Sequence, residues 1–554
     1  MILIPLIIVA GFFMGVFFAY ARSDKSFSFS TPLLAALIVI GVACGVVNYF
    51  LLIKTFWFNL LFVFLAFMAP TFLILTIVLS ARNGEPKKVV LPILCLMAVF
   101  LLLLAPYTQT SKLYSLAEVE VVEDEKPLSI DMTHIRQVNY EYAKWKADKI
   151  VGEMGNKVKL GELEIMLYRG RLTWVAPLIH RGFWKAREYE QTSGYIMVDA
   201  ENPSLEAKMY SNYSLDISYQ NEYFGDYVER IIYSDYSKYR QHWSFEIDED
   251  GKPWIICTLA NPTVFNKGDR LDKVLVISPE TREIREFEVG EQPDWIENVF
   301  PEELAESYCM WWGKYKHGFW NTIFSEKDVK EPTSKNGQVD VFMVVGKDNE
   351  SYWFTDFTSP SSDDKSMMGY MLINTKTGEF TFYKANGLLN GDAAMEAATA
   401  KVRNFKGWYA TQPIFLILGG NETWFTPIHS GTNILQKFAI IQAMDGNVTM
   451  GDTLEETLEN YLKKEIVDWR TISGSNQISG VVRDIHSYVR YGETEWDIQL
   501  ETDNGTVSVY AYADAKPYLL EPTNNVIIQY VTADSHYFEN VKIAVNMTVT
   551  DDLQ

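Results

Sequence analysis

Four long apolar runs fill the first 110 residues and constrain the fold more than any other feature. They contain no Asp, Glu, Lys, Arg or His and span Ile2–Tyr20, Pro32–Ile53, Phe56–Leu79 and Val89–Tyr107. Each is close to the roughly 20 residues that a helix needs to cross about 30 Å of hydrocarbon. Because a chain in lipid must satisfy its backbone hydrogen bonds internally, the runs predict four transmembrane helices. We expect the first run to be retained rather than cleaved as a signal peptide, since no basic residue precedes it.

The short connections between these runs predict an orientation. The first and third connections hold Arg22, Lys25, Arg82, Lys87 and Lys88, whereas the opposite side offers Lys54 and Lys112. The positive-inside rule therefore places the first and third connections in the cytoplasm. We expect a multi-pass protein of the cytoplasmic (inner) membrane whose termini and large remaining domain are extracytoplasmic.

The charge of the remaining chain excludes one class of partner. The whole chain carries −22 at pH 7, but residues 1–110 contain six Lys or Arg and two acids, so residues 111–554 carry −26. Such an acidic body repels the phosphate backbone of nucleic acids. We therefore expect the membrane and other proteins as partners, and no nucleic acid.

A helix followed by two β-hairpins recurs along the acidic part of the chain. The phrase GYMLINTKTGEFTFYK (369–384) is typical of a strand, a polar turn and a second strand, and related phrases begin at residues 194 and 273. Two such hairpins make a four-stranded antiparallel sheet with one apolar face, which a single helix can cover. The alternation of apolar residues predicts that Leu372 and Phe382 face this helix.

The turn of this hairpin carries a resemblance to a known family. In Asn374–Glu379 a strand runs into an Asn-x-x-Thr-Gly-Glu turn, and Ser278–Glu283 keeps the Thr and Glu but has Arg282 at the Gly position. The segment Asp199–Ser204 departs further. The first phrase resembles the turn of PepSY-type modules, small extracytoplasmic helix-plus-sheet units, and the order of elements is similar to that of a group of large bacterial membrane proteins. The resemblance implies an envelope setting and protein contacts.

The last segment differs from the repeated units. After a helix predicted over Leu454–Ile466 and a Ser/Gly-rich joint, five strand candidates follow, with Asp503-Asn504-Gly505 as a hairpin signal. A short helix predicted over Ala513–Leu520 lies between the third and fourth strands, an order that resembles an OB-type barrel. Residues 473–554 contain four Lys or Arg against twelve acids, so a structural or protein-binding barrel is favoured over a nucleic-acid-binding one.

The predicted fold class is therefore membrane α plus α+β. It combines four transmembrane helices, repeated helix-plus-four-stranded antiparallel sheet units and a C-terminal five-stranded OB-like β-barrel. The predicted segments are the anchor (1–110), four helix-plus-sheet units (111–212, 213–292, 293–386 and 387–452), a helix with linker (453–475) and the OB-like barrel (476–554).

No catalytic motif is present in the sequence. There is no H-E-x-x-H, C-x-x-C, G-x-S-x-G or phosphate loop, and no two of the seven histidines lie three or four residues apart. We therefore predict no catalytic residue, no metal site and no cofactor. Asp248–Gly251 resembles part of a calcium loop but lacks the later ligands, which favours a plain turn. Cys257 and Cys309 are either buried free thiols or one disulfide.

One aromatic segment, CMWWGKYKHGFW (309–320), is a candidate for partner binding. Exposed rings provide a large contact area with little loss of side-chain entropy, so such a segment suits a glycan or protein partner. The alternative is that the rings pack between units. The candidate residues are Trp311, Trp312, Tyr315, His317 and Trp320.

Two functional hypotheses follow from the sequence. The first is a membrane-anchored extracytoplasmic scaffold or interaction protein of the bacterial envelope, which assembles with itself as a homo-oligomer or binds other envelope proteins. The alternative is an envelope enzyme or peptidase regulator with a site between the helix-plus-sheet units. A cleft lined by a carboxylate pair, or by a histidine with a carboxylate, would favour the alternative.

Overall fold

The computed structural model describes most of the chain. The described residues are 3–22, 31–83, 86–122, 130, 134–220, 222–335, 338–339, 341–346, 348–361, 365–418, 421–454, 456–461, 476–490, 493–502, 505–512, 522, 525–530, 532–534, 537–539 and 542–545. The chain forms two compact units. The first comprises Met1–Asp364 and Met368–Ala385, and the second comprises Lys365–Met367 and Asn386–Gln554.

The prediction of four transmembrane helices is wrong. The apolar segment contains α1 (Leu3–Arg22), α2 (Thr31–Leu51), α3 (Trp57–Asn83), α4 (Val90–Leu102) and α5 (Thr110–Leu116). Among the described residues, two helical stretches are long and apolar enough to cross a membrane, Leu3–Ala21 and Trp57–Ala81. A third would result only if the bent pair Val90–Leu102 and Ala105–Leu116 formed one span.

The fourth run is interrupted by a bend. The two parts of the bent pair differ in direction by 56°. The 13 residues of α4 reach only about 20 Å, short of the roughly 30 Å of hydrocarbon. Beyond the bend, Thr110 and Leu113 of α5 are buried in the protein. In the second run, α2 has 21 residues, and the apolar stretch identified within it is Leu37–Leu51.

Glycines spaced four residues apart bring the apolar helices together. A side chain at Gly11 would collide with the carbonyl oxygen of Phe64, and a Cβ at Gly15 would lie 2.5 Å from that of Met68. Small residues at this spacing let helix backbones approach closely in lipid. The contacts advance in the same direction along both helices, so α1 runs parallel to α3. Gly41 and Gly45 of α2 face Val9 and Pro5, which makes α2 antiparallel to α1.

A first antiparallel sheet follows α5, strand β1 (Val119–Val122) and α6 (Tyr140–Glu153). Its strand order is β2-β4-β5-β6, with β3 paired to β4. The strands are β2 (Val158–Leu160), β3 (Glu164–Tyr168), β4 (Arg171–His180), β5 (Thr192–Asp199) and β6 (Lys208–Leu215), and α7 (Phe183–Glu188) lies between β4 and β5. Asn139 caps α6, whose Ala143, Ala147 and Val151 share one core with the sheet.

A second antiparallel sheet is covered by α8 (Val228–Tyr236). The strand order is β10-β9-β8-β7. The strands are β7 (Arg240–Ile247), β8 (Pro253–Val264), β9 (Lys267–Ile277) and β10 (Ile284–Glu288). Val228 and Ile232 of α8 pack with Phe245, Ile255 and Leu275 in one core, because these residues recur at the intervals of a helix face and a strand face.

A third sheet contains the repeated hairpin phrase at 369–384. Its order is β1-β17-β16-β15-β11, with β14 paired to β15. The elements are α9 (Glu302–Lys314), α10 (Asn321–Phe324), β11 (Glu331–Pro332), β12 (Ser334–Lys335), β13 (Gln338–Val339), β14 (Phe342–Val345), β15 (Ser351–Thr358), β16 (Ser366–Asn374) and β17 (Phe380–Leu389). Strand β1 joins as a parallel partner of β17, with Val119 opposite Phe380. Strands β12 and β13 form a separate pair.

The register predicted for β16 is wrong by one residue. Met371 contacts Cys309 of α9, and Met371, Ile373 and Phe382 belong to the core that α9 covers. Leu372 is also buried, but alternation along the strand turns it to the opposite face. Phe382 faces the helix, as predicted.

The second unit holds a five-stranded antiparallel sheet beside α11 (Gly391–Lys401). The strand order is β18-β20-β21-β22, with β19 paired to β20. The strands are β18 (Tyr409–Ala410), β19 (Ile414–Leu418), β20 (Asn421–His429), β21 (Leu435–Gln442) and β22 (Val448–Gly451). The side chain of Asn390 caps α11 by accepting a hydrogen bond from Ala393 N at 2.9 Å.

The prediction of a C-terminal barrel is wrong. The strands are β23 (Asn476–Arg490), β24 (Glu493–Thr502), β25 (Gly505–Tyr512), β26 (Asn525–Tyr530), β27 (Thr532–Asp534), β28 (Tyr537–Glu539) and β29 (Lys542–Val545). As far as the chain is described, five of them form an open sheet in the order β25-β24-β23-β26-β29, and β27 pairs with β28. The predicted helix 513–520 lies outside the described residues. The seven-segment division of the chain stays a prediction.

Candidate functional site: the junction between the apolar helices and the body

The connection between α2 and α3 turns sharply at Leu52. This residue has φ of +48°, a conformation that costs an L-amino acid about 1–2 kcal/mol, yet its side chain is buried. Its N–H donates to Asn48 O at 3.0 Å. The N–H of Ile53 donates to Asn48 Oδ1 at 3.2 Å. Asn48 thus ends α2 and directs the next residues toward α8.

Helix α8 and its surroundings bind this connection through polar contacts. The ammonium of Lys54 pairs with the carboxylate of Glu229 and donates to Gln241 Oε1 at 2.6 Å. Tyr233 Oη donates to the carbonyl oxygen of Ile53 at 2.5 Å. The N–H of Thr55 donates to the carbonyl oxygen of Ser237 at 2.7 Å. We call the segment from Asn48 to Phe58, together with the residues of α8 and of the chain after it that this segment contacts, the junction.

Lys54→Met tests the strength of the junction. It removes a half-buried ion pair and a hydrogen bond, so we expect the free energy of unfolding to fall by about 1–2 kcal/mol. The matched control is Lys144→Met, because the Lys144–Asp148 pair lies on an exposed helix surface, where such pairs contribute about 0.3–0.5 kcal/mol. The measurement is the unfolding midpoint of the full chain in one mild detergent. Equal shifts for the two variants would contradict the junction.

Aromatic rings extend the junction. The guanidinium of Arg230 lies 3.9 Å from the ring centroid of Tyr49 and also donates to the Tyr49 carbonyl oxygen. In the β8–β9 turn, the ring of Phe265 lies 5.2 Å from that of Phe58. Such cation–π and edge-on ring contacts each contribute about 0.5–1.5 kcal/mol beyond burial. The ends of α2 and α3 are therefore packed against the body, which we define as residues 117–385 of the first unit.

A second contact lies beyond the bend after α4. The ring of Phe319 is 5.3 Å from that of Tyr107, and the ammonium of Lys267 is 4.8 Å from the Tyr107 centroid. The N–H of Phe319 donates to Thr110 Oγ1 at 3.0 Å. The apolar segment thus contacts the body both at the junction and beyond α4, and the β8–β9 hairpin takes part in both contacts.

The five candidate aromatic-segment residues are not brought together on one surface. Trp312 is only 8% exposed and packs on Phe357 and Phe382. Trp311 is partly buried against the same core, and burial raises the pKa of the Tyr315 hydroxyl.

The other two candidates are exposed. His317 Nε2 lies 2.9 Å from Asp328 Oδ2, and Trp320 stacks on Phe324. The segment is therefore divided: part of it is core, and its end is surface. A partner-binding role for the exposed end stays a prediction.

Sequence reasoning missed the aromatic residues that lie in turns. Phe224 and Phe265 both have positive φ, of +54° and +59°. Phe183 follows Gly182 at the start of α7. A bulky ring in a glycine-containing or strained turn does not belong to the apolar pattern of a strand or a helix. Such rings are the feature of the sequence that could have predicted a contact surface.

Two buried carboxylates, those of Glu246 and Glu297, are enclosed in the body and do not line an open site. The carboxylate of Glu246 accepts hydrogen bonds from the N–H groups of Glu297 and Asn298, and burial raises its pKa to about 7 against the effect of these bonds. Burial likewise raises the pKa of Glu297, whose carboxylate lies 3.2 Å from Lys376 Nζ. Both side chains are enclosed by the protein.

Two carboxylates, those of Asp272 and Glu288, line an open cleft formed by described residues. Within the described residues, no group of three His, Cys, Asp or Glu is arranged to hold a metal ion. Cys257 and Cys309 are free and buried. The open cleft, of about 470 Å³, lies on the second sheet and is mainly polar, whereas small-molecule pockets are mainly apolar. Its lining residues are Asn261, Thr263, Arg270, Leu271, Asp272, Glu288 and Val289.

Neither the models of known protein families nor the curated protein sequences contain a match to this chain.

Proposed function

We propose that the protein is a membrane-anchored scaffold or interaction protein of the bacterial envelope. Its apolar helices hold the body at the membrane surface, and the body binds copies of itself or other envelope proteins. The observation that supports this proposal most directly is the junction, in which Lys54, Thr55 and Ile53 are bonded to α8 and its neighbours. A flexible tether would need no such contacts.

The path from the bend to the body supports the same proposal. Leu113 of α5 is 1% exposed, and the close approach of Gly268 to Leu113 and Leu116 seats this helix on the β8–β9 hairpin. The chain therefore passes from the apolar helices into a packed core without a loose linker. A fixed orientation of the body relative to the membrane is useful to a scaffold that must present one surface to its partners.

Two observations support an extracytoplasmic body in the cytoplasmic membrane. The basic residues are concentrated in the connections after α1 and α3. Since α1 runs parallel to α3, the start of α1 lies at the same end as Trp57, which is the end that contacts the body. Both agree with a body on the side opposite the basic connections.

Self-association is the form of assembly that the apolar helices favour. Large apolar side chains such as Val39, Val42, Val46 and Phe100 are exposed on α2 and α4. Lipid chains cover such surfaces as well as another helix does, so lateral association rests on close van der Waals packing between helices. Closed symmetric homo-oligomers are the commonest result when one chain associates with itself. Edge strand β10 reads Ile-Arg-Glu-Phe-Glu, and charged edges disfavour edge-to-edge pairing. We therefore assign the association to the helices.

The particle mass after gentle extraction tests this proposal. We expect a protein mass that is a multiple of the 63.6 kDa chain in mild detergent, and a drop toward one chain in a harsher detergent that separates helices. Gel filtration with light scattering at micromolar concentration is the measurement. A strictly monomeric particle whose mass does not change with the detergent would rule out self-assembly.

A further inference from the structure

Among the described residues beyond α4, the most exposed aromatic side chains fall in two groups, one at Trp184 and one at Trp320 and Phe324. Trp184 is 80%, Phe324 77% and Trp320 68% exposed. Ile323 and Phe224 are also exposed. Soluble proteins rarely expose several large apolar side chains together on their surface, and patches of this kind mark interaction sites. We call these five residues the aromatic rim.

We propose that the aromatic rim inserts into the headgroup layer of the bilayer that holds α1 and α3. The proposal rests on the proposed membrane anchor. It adds a second mode of attachment, in which side chains of the body itself lie in the lipid.

The rim is continuous with the ends of the apolar helices. On one side, the ring of Phe224 lies 6.3 Å from that of Phe50 in α2 and 6.0 Å from that of Phe183, which contacts Trp184. A chain of neighbouring rings thus leads from α2 to the exposed Trp184.

The other half of the rim starts beyond α4. The ring of Phe319 contacts Tyr107 and lies 5.6 Å from that of Trp320, which stacks on Phe324 at 5.9 Å. Both halves therefore begin where the apolar helices meet the body, which is the depth of the membrane–water interface.

The chemistry of the rim favours lipid over a protein partner. Trp is enriched at membrane–water interfaces, where its ring is apolar and its N–H remains hydrated. Residues 181–188, 222–230 and 314–331 carry eight Lys or Arg and seven acids, a net +1, whereas residues 111–554 together carry −26. Basic groups beside inserted rings suit anionic headgroups, each adding about 1 kcal/mol near the surface.

The chain offers a control at the far end of the first sheet. Asp199 is opposite Thr173 and Lys208 is opposite Met197, so the loop that contains Leu205 lies at the Arg171 end of β4. Trp184 lies beyond the His180 end, and the ten residues of β4 span about 30 Å. Leu205 is exposed and apolar, as the rim residues are.

Quenching of a fluorescent label by nitroxide lipids tests the proposal. The full chain, with Cys44→Ala and Cys95→Ala, receives one cysteine as Trp184→Cys, Phe324→Cys, Leu205→Cys or Ile74→Cys and is labelled with an environment-sensitive dye. Each protein is reconstituted into vesicles of phosphatidylcholine and phosphatidylglycerol, with or without phosphatidylcholine carrying a shallow or a deep nitroxide. Ile74 is exposed on α3 and reports on the anchor.

We expect shallow-nitroxide quenching at positions 184 and 324 to exceed that at 205 by about threefold, and deep-nitroxide quenching to be strongest at 74. If position 74 is quenched but 184 and 324 resemble 205, the rim proposal is overturned, the anchor stands, and the rings face water or a protein partner. If position 74 is not quenched, the anchor fails; quenching at 184 and 324 would then still support lipid binding by the rim, and its absence would overturn both.

Discussion

Gly15→Ala in α1 is expected to lower the free energy of unfolding in detergent by about 2 kcal/mol or more, because the added Cβ overpacks the α1–α3 contact. At Gly15 this atom would lie 2.5 Å from Met68 O and 2.8 Å from Thr71 Cβ. The first of these neighbours is backbone and cannot rotate away, so the helices must separate. Thermal unfolding in one mild detergent, followed by near-ultraviolet circular dichroism, measures the effect.

Gly45→Ala is the matched control for this prediction. The same Cβ would lie 3.8 Å from Pro5 Cγ, an ordinary van der Waals distance. Both variants gain the same helix propensity, about 1 kcal/mol in favour of alanine, so the difference between them isolates the contact. We expect Gly45→Ala to unfold at the parent temperature or slightly above it. Equal behaviour of the two variants would contradict the close packing of α1 on α3.

Trp312→Ala is expected to cost about 3–5 kcal/mol of stability, because it removes a large buried side chain and leaves a cavity. Its ring centroid lies 4.8 Å from that of Phe382 and 5.5 Å from that of Phe357, and Lys330 lies over the same ring. The loss would separate α9 from the third sheet. The unfolding midpoint of the full chain in mild detergent measures the change.

Trp320→Ala removes the same atoms from an exposed position eight residues later. Its ring stacks on that of Phe324 and meets that of Phe319 edge-on. Surface substitutions of this kind usually change stability by less than about 0.5 kcal/mol. A similar loss from both variants would show that the aromatic segment is not divided into core and surface as the structure has it.

The helix-plus-sheet pattern was predictable because each helix and each hairpin is specified by residues that are close together in the sequence. The hairpin predicted at 369–384 matches β16 and β17, and α9 covers the sheet that contains them. The face of β16 was not predictable in the same way. Every residue from Gly369 to Asn374 is buried. Because both faces of the strand are buried, the alternation of apolar and polar side chains does not show which face the helix covers.

The number of spans and the closure of the last sheet depend on information that local patterns lack. Hydropathy reports that residues 89–107 are apolar, but not that the helix bends after Leu102 and that α5 is buried in protein. A barrel requires its two edge strands to pair, and no turn or periodicity in β25 or β29 specifies that contact. Likewise, no local pattern in Val119–Val122 indicates that β1 pairs with the distant strand β17.

The junction was equally hidden from sequence reasoning. Lys54 and Glu229 are 175 residues apart, and each is an ordinary charged residue in its own segment. The aromatic rim was partly visible, since Trp320 was a candidate from its aromatic neighbourhood. Trp184 in α7 and Phe224 were not, because they lie in separate segments that only the folded chain brings near α2.

The pairing of β1 with β17 sets a time order on biosynthesis. Val122 leaves the ribosome 258 residues before Phe380, the first residue of its partner strand. At 5–20 residues per second this delay is roughly 10–50 s. During that interval the backbone N–H and C=O groups of β1 cannot pair with β17, because β17 has not yet been synthesised. A second copy made nearby, or a chaperone that binds extended segments, has that long to pair with it before the chain's own sheet is complete.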